Sequence, residues 1–146
     1  MFKLFRLLPN TDLKQGILTF CTNHDFQVAC IISAVGSLKQ ITVRIADGKT
    51  IYTETKDMEV LSLSGTIVHN QIHAHISAID HTMHIVGGHL MDGCVIHTTM
   101  ELCILDLTDQ VSAERVYDSN TGYDELSIIE WIHCYKYDTL LKDLPT

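Results

Sequence analysis

No run of about 18 consecutive apolar residues occurs in this sequence of 146 residues, which excludes a membrane-spanning helix. Charge enters early, at Lys3 and Arg6 among Phe2, Leu4 and Phe5, so the opening residues do not read as a secretory signal. The expected compartment is the cytoplasm. Cys-x-x-Cys pairs are also missing. The five cysteines (Cys21, Cys30, Cys94, Cys103, Cys134) are odd in number and lie mostly within apolar stretches, which fits reduced packing thiols better than a disulfide framework. Basic residues are few and scattered, 10 against 18 acidic ones, for a net charge of −8 with histidines neutral. A phosphate-binding surface needs concentrated positive potential, so autonomous DNA binding is disfavoured. Low-complexity tracts, internal repeats and linkers are absent as well, and an apolar content of 46% is enough for a core, which together leave one globular domain.

What is present is mostly strand signal. After a short strand over residues 2–8, Asp12 stands three residues before Gln15 as a helix cap, and Leu13, Ile17, Phe20 and Cys21 share one helical face to about His24. Strand patterns then follow in close order from Val28 to Tyr117, broken at Gly36-Ser37, Asp47-Gly48, Asp80-His81 and Asp92-Gly93. Such short connections favour antiparallel pairing. From Asp124 onward, Leu126, Ile129, Trp131, Ile132, Tyr135, Leu140 and Leu141 recur at mostly helical spacing, which predicts a closing helix before Pro145, covering its own sheet or docking on a neighbouring subunit.

The chemistry is concentrated in histidines. In Gln71-Ile72-His73-Ala74-His75-Ile76-Ser77-Ala78 the alternation puts Ile72, Ala74, Ile76 and Ala78 on one face of a strand and both imidazoles on the other. Histidines two apart on a strand have their Cβ atoms about 6 to 7 Å apart, close enough to share one ion through bonds of about 2 Å. His89 follows Gly87-Gly88, which permit close backbone approach and let its ring come across from an adjoining strand as a third nitrogen ligand. The expected cofactor is a divalent metal. Three neutral nitrogens suit Zn²⁺ and also accept Ni²⁺, Co²⁺ or Fe²⁺, with an open position for water or a substrate atom.

Catalysis would also need a proton acceptor, and Glu101, then Glu59, are the candidates. Each is equally able to orient a histidine or to pair with Arg115. The other histidines have plainer readings: His81 and His84 in a solvated turn, His69 and His97 near strand ends, His24 closing the first helix, His133 in the last one. Ser62, Ser64 and Thr66 alternate on one face without the acid and base of a nucleophile triad. Gly87-Gly88 lacks the further glycine or Lys-Ser/Thr of a phosphate loop.

Several landmarks in order resemble a known family. Glu59 through Thr66, His73-Ala74-His75, Gly87-Gly88-His89-Leu90 with Gly93, Glu101, then Arg115, Asp118, Thr121, Gly122 and Leu126 are similar to the PPC (plants and prokaryotes conserved) domain, as are Arg6, Asp12 and Gly36-Ser37-Leu38. The resemblance implies an α+β fold, a mostly antiparallel sheet flanked by a few helices, in a single domain assembled as a homotrimer. Residues 1–126 then form the PPC-like domain and 127–146 a C-terminal helical extension. Plant relatives carry an Arg-Gly-Arg-Pro type segment for the DNA minor groove, which this sequence does not contain. The resemblance further implies metal binding of the kind some prokaryotic relatives look built for, through the histidines that correspond to His73, His75 and His89. Two departures are visible: Pro9-Asn10-Thr11-Asp12 replaces the usual Pro-Gly before the helix, and Met58 stands where an aromatic precedes Glu59. Two functions follow as expectations: a metal centre acting on or binding a small molecule, or an assembly module that contacts nucleic acid or a DNA-bound partner without catalysis. A bare scaffold with empty histidines is the third.

Overall fold

A computed structural model describes residues 1–131. The element order is β1 (Phe2–Leu7), α1 (Leu13–Asn23), β2 (Val28–Arg44), β3 (Ile51–Val68), β4 (Gln71–Asp80), β5 (Ile85–Leu90), β6 (Val95–Asp106), β7 (Val111–Asp118) and β8 (Tyr123–Trp131). The first six strands form one antiparallel sheet in the order β1-β6-β2-β3-β4-β5, and the last residues of β2 also pair with β5, so β2, β3, β4 and β5 close on one another. Strands β7 and β8 form a separate hairpin.

Turn chemistry sets each register. His69 and Asn70, both at positive φ (46° and 63°), make the two-residue connection of β3 and β4, a geometry that matches the twist of the flanking strands. The Asp47 carboxylate accepts from the Lys49 and Thr50 amides, and Gly48 (φ 74°) completes the β2–β3 turn. At the β4–β5 connection, Asp80 Oδ1 accepts from the Thr82 amide and hydroxyl and from the His84 amide, while Oδ2 pairs with Lys56. Asp80 is thus a buried charge with both carboxylate oxygens hydrogen-bonded.

The expected break at Gly36-Ser37 is not a turn. Strand β2 runs through it, with a register shift between Gly36 and Leu38. A Cβ at Gly36 would lie 2.0 Å from the Thr99 carbonyl oxygen, so the glycine serves close approach of β6 at a bulge. Asp12 caps α1 as expected, Oδ1 accepting from the Gln15 amide at 3.0 Å, and its second oxygen accepts from the Gly93 amide at 2.6 Å, tying helix to sheet. Leu13, Ile17 and Cys21 of α1 are fully buried among Leu38, Ile41, Ile96, Met100, Leu102 and Ile104. Each such side chain contributes about 1.5–3 kcal/mol through burial.

Two expectations need correction. The sequence predicts a few flanking helices, and the described residues contain one. Residues 124–131 were expected to begin the closing helix and instead form β8, paired with β7 from Val111↔Trp131 to Asp118↔Tyr123. The cause is local. Asp118 gathers the amides of Asn120, Thr121 and Gly122, and Gly122 takes a φ of 76°, a turn that returns the chain along β7 before helix can nucleate. The remainder of the expected 127–146 extension lies outside the described residues.

Candidate metal centre

Strand β4 carries out its sequence pattern: Ala74, Ile76 and Ala78 are buried, while His73 and His75 stand on the outer face. The His69–Asn70 turn places Thr66 opposite His73 and Ser64 opposite His75. On the other side, the Asp80 turn places His89 directly opposite His75. Because β5 also pairs with β2, Arg44 falls opposite His89. Directly opposite residues share a face. One row across four strands therefore reads Ser64, His75, His89, Arg44, with His73 and Thr66 one step along.

The glycines before His89 have separate tasks. A Cβ on Gly88 would lie 2.7 Å from the Arg44 carbonyl oxygen and 3.1 Å from Val43 Cβ, so its bare Cα allows β5 to lie against β2. A Cβ on Gly87 would lie 2.8 Å from the Ile76 carbonyl oxygen, and without one the outer surface beside His75 stays open.

The three rings converge. Their centres are 5.4 Å (His73–His75), 5.2 Å (His73–His89) and 5.7 Å (His75–His89) apart. One ring nitrogen from each can be chosen so that all three lie within 4.8 Å of one another. A nitrogen bound at about 2.0–2.1 Å puts its ring centre about 3.2 Å from the ion, and tetrahedral angles then separate ring centres by about 5.2 Å. The rings meet that spacing, so the residues fit a divalent ion without rearrangement of the backbone.

Their protonation fits as well. Burial pushes the His89 imidazolium down to about 4, helped by the positive Arg44, its two fellow histidines and Lys14. Burial, then the Arg115 guanidinium, lowers His73, with His75 and Arg44 acting in the same sense and Glu125 opposing. Both rings are neutral at pH 7, the form that donates to a metal.

Two depressions flank the triad. The larger, about 600 Å³, is walled by His75 and His89 together with Arg44, Tyr123 and outward serines. The smaller, about 370 Å³, adds His73, Arg115, Asp124 and Glu125. Arg115 donates to Thr66 Oγ1 at 2.7 Å, and the Arg44 guanidinium carbon lies 5.3 Å from the centre of the Tyr123 ring.

Glu101 lies on β6 opposite Val35 and Arg6, exposed, in a separate depression with Leu4 and Arg6. Glu59 is exposed on β3 opposite Ser37. Neither lines a depression beside the triad; Asp124 and Glu125 do. Those two, with Tyr123 and Arg44, were missed by sequence reasoning. The usable signal was the Asp118–Gly122 turn, which implies a hairpin and brings β8 back towards β4. A second group, Glu54, Asp80 and His84, has ligand atoms within 4.8 Å of one another, but Lys56 supplies the counter-charge there and the Asp80 oxygens are spent on the turn.

Residues 3–108 match the Plants and Prokaryotes Conserved (PCC) domain. The chain belongs to this family. It is 40% identical over 123 residues to the bifunctional protein GlmU of Synechococcus sp. (strain JA-3-3Ab), a match covering 84% of this chain and 20% of that protein, so the chain spans about one-fifth of the length of the curated relatives it matches. Among solved structures, a hypothetical protein from Salmonella cholerae-suis superposes with a TM-score of 0.83 at 32% identity, over 88% of this chain and 92% of that one. A metal-containing protein from Archaeoglobus fulgidus does so with a TM-score of 0.71 at 26% identity, over 87% and 93%.

Proposed function

We propose that this family member is a homotrimeric metal protein in which His73, His75 and His89 hold one divalent ion, Zn²⁺ in the first instance, and that it binds or acts on a small molecule beside that ion. The observation that carries the reading is the mutual spacing of the three rings, 5.2 to 5.7 Å between centres, on neighbouring strands of one sheet. The metal content of the Archaeoglobus relative supports it. When bound, such an ion supplies Lewis acidity towards an oxygen of a ligand. The chain's own contribution is orientation: strand register aims the imidazoles, neutral at pH 7 in His73 and His89, and the adjoining depression holds the small molecule.

Self-association is supported by the outer face of β1 and β2, where Leu4 (83% exposed), Phe2 (63%) and Val35 (66%) present apolar surface to solvent. A second copy of the chain is the occupant we propose for it. A reducing compartment, the cytoplasm, is supported by Cys21, Cys30, Cys94 and Cys103, which are free thiols. No helix among the described residues is long and apolar enough to cross a membrane. The nucleic-acid reading has less behind it, since the net charge is −8 and two of the three arginines, Arg44 and Arg115, stand at the triad instead of on a basic surface.

Metal analysis of untagged protein tests the proposal. Wild type should carry bound metal that survives desalting, and His75→Ala should carry less than about one-tenth as much. Equal metal in the two proteins would overturn it.

A further inference from the structure

The larger depression has an uneven charge. Among the described residues no acidic side chain lines this wall, where Arg44 is the one charged side chain. Among the described residues the Arg44 guanidinium has no hydrogen-bond or ion-pair partner; it stacks on Tyr123 and is otherwise free to receive a ligand. The smaller depression, whose wall Arg44 also joins, is balanced, since Arg44 and Arg115 share it with Asp124 and Glu125. The remaining polar groups of the larger wall are the outward hydroxyls of Ser62, Ser64 and Ser77, with Ser62 and Ser77 joined at 2.8 Å.

From this asymmetry we infer that the larger depression is an oxyanion site, in which Arg44 receives the carboxylate or phosphate of a small molecule whose other end reaches the His73/His75/His89 centre. The inference rests on the metal reading and adds the chemical class of the ligand. Three neutral imidazoles leave a divalent ion its full 2+ charge, and Arg44, directly opposite His89, adds a further positive charge on the same face. A planar guanidinium offers two parallel donors that match two oxygens of one carboxylate or phosphate. A volume of about 600 Å³ fits a molecule of metabolite size. The serine hydroxyls, able to donate or accept, suit the polar remainder of such a ligand. The absence of a side chain on Gly87 keeps the floor between Ser77 and His89 clear.

Cobalt-loaded protein provides the test, because its visible absorption reports ligands at the metal independently of any activity. Oxalate, inorganic phosphate and, as a neutral metal ligand, imidazole are titrated into wild type, Arg44→Gln and Arg44→Lys. Arg44→Gln should weaken the better-bound oxyanion by about tenfold or more, Arg44→Lys by less, and imidazole should bind all three proteins within about twofold. The tighter of oxalate and phosphate identifies the oxyanion. Equal oxyanion affinities in wild type and Arg44→Gln, with cobalt held by both, would sink the role of Arg44 and leave the metal centre standing. Failure of the wild type to hold cobalt would sink the metal reading and this inference with it.

Discussion

His75 and His89 face each other across the β4–β5 pair with ring centres 5.7 Å apart, and the residue that holds them in register is Asp80, at the far end of that pair. The carboxylate closes the connecting turn through three donors of its own loop and through Lys56. A slip of one residue in this pairing would send His89 to the inner face. The convergence of the imidazoles is therefore a consequence of how the turn is built.

Replacing Asp80 with Asn should lower stability and reduce metal binding together. Lys56 and Thr82 hold the Asp80 carboxyl well below the usual carboxylate range. A depressed acid contributes stability that is present above its unfolded value of about 3.9 and is lost as pH falls through its folded value. The gap between the urea midpoints of wild type and Asp80→Asn should therefore be smaller at pH 3 than at pH 7. Identical midpoints at pH 7 would contradict this account of the turn.

Acid should also weaken the metal-free protein through His89. Its imidazolium is pushed down to about 4, against about 6.5 in an unfolded chain. Between those values the unfolded chain holds a proton that the folded one refuses, so stability rises with pH across the interval. With chelator present, unfolding curves between pH 4.5 and 7.5 should show a shallower dependence in His89→Gln than in wild type. Parallel curves would show that His89 is not held neutral by the fold.

Gly88→Ala should cost about 1–3 kcal/mol, because its Cβ would be driven against the Arg44 carbonyl and Val43. Chemical denaturation measures the loss. Metal content should fall in the same variant, since β5 can relieve the overlap only by moving His89 away from β2.

The proposed assembly makes its own prediction. Leu4→Asp places a charge on the most exposed apolar side chain of β1, and light scattering coupled to size exclusion should show a trimeric wild type and a monomeric variant with unchanged circular dichroism. A wild type that runs as a single chain would remove the trimer.

Much of this molecule was legible in one dimension because the signals were local. Period-two alternation over Gln71–Ala78 assigned the strand and the side of it on which His73 and His75 stand, and Asp12 with Gln15 marked the start of the helix. The closing segment misled, because Leu126, Ile129 and Trp131 occur at spacings that serve a helix as well as a strand, and the Asp118 turn decided between them.

Residue types and their alternation were enough to nominate three imidazoles and a metal. Which charged groups surround them was decided by tertiary structure alone. Arg44 reaches His89 only because β5 turns back to pair with the end of β2, and Glu125 reaches His73 only because β8 returns along β7. The placement of Arg44 leaves no mark in sequence spacing, and the Asp118–Gly122 turn announces a hairpin without saying which strand it returns to, since hydrogen bonding between strands depends on which edges meet in space and not on how many residues separate them.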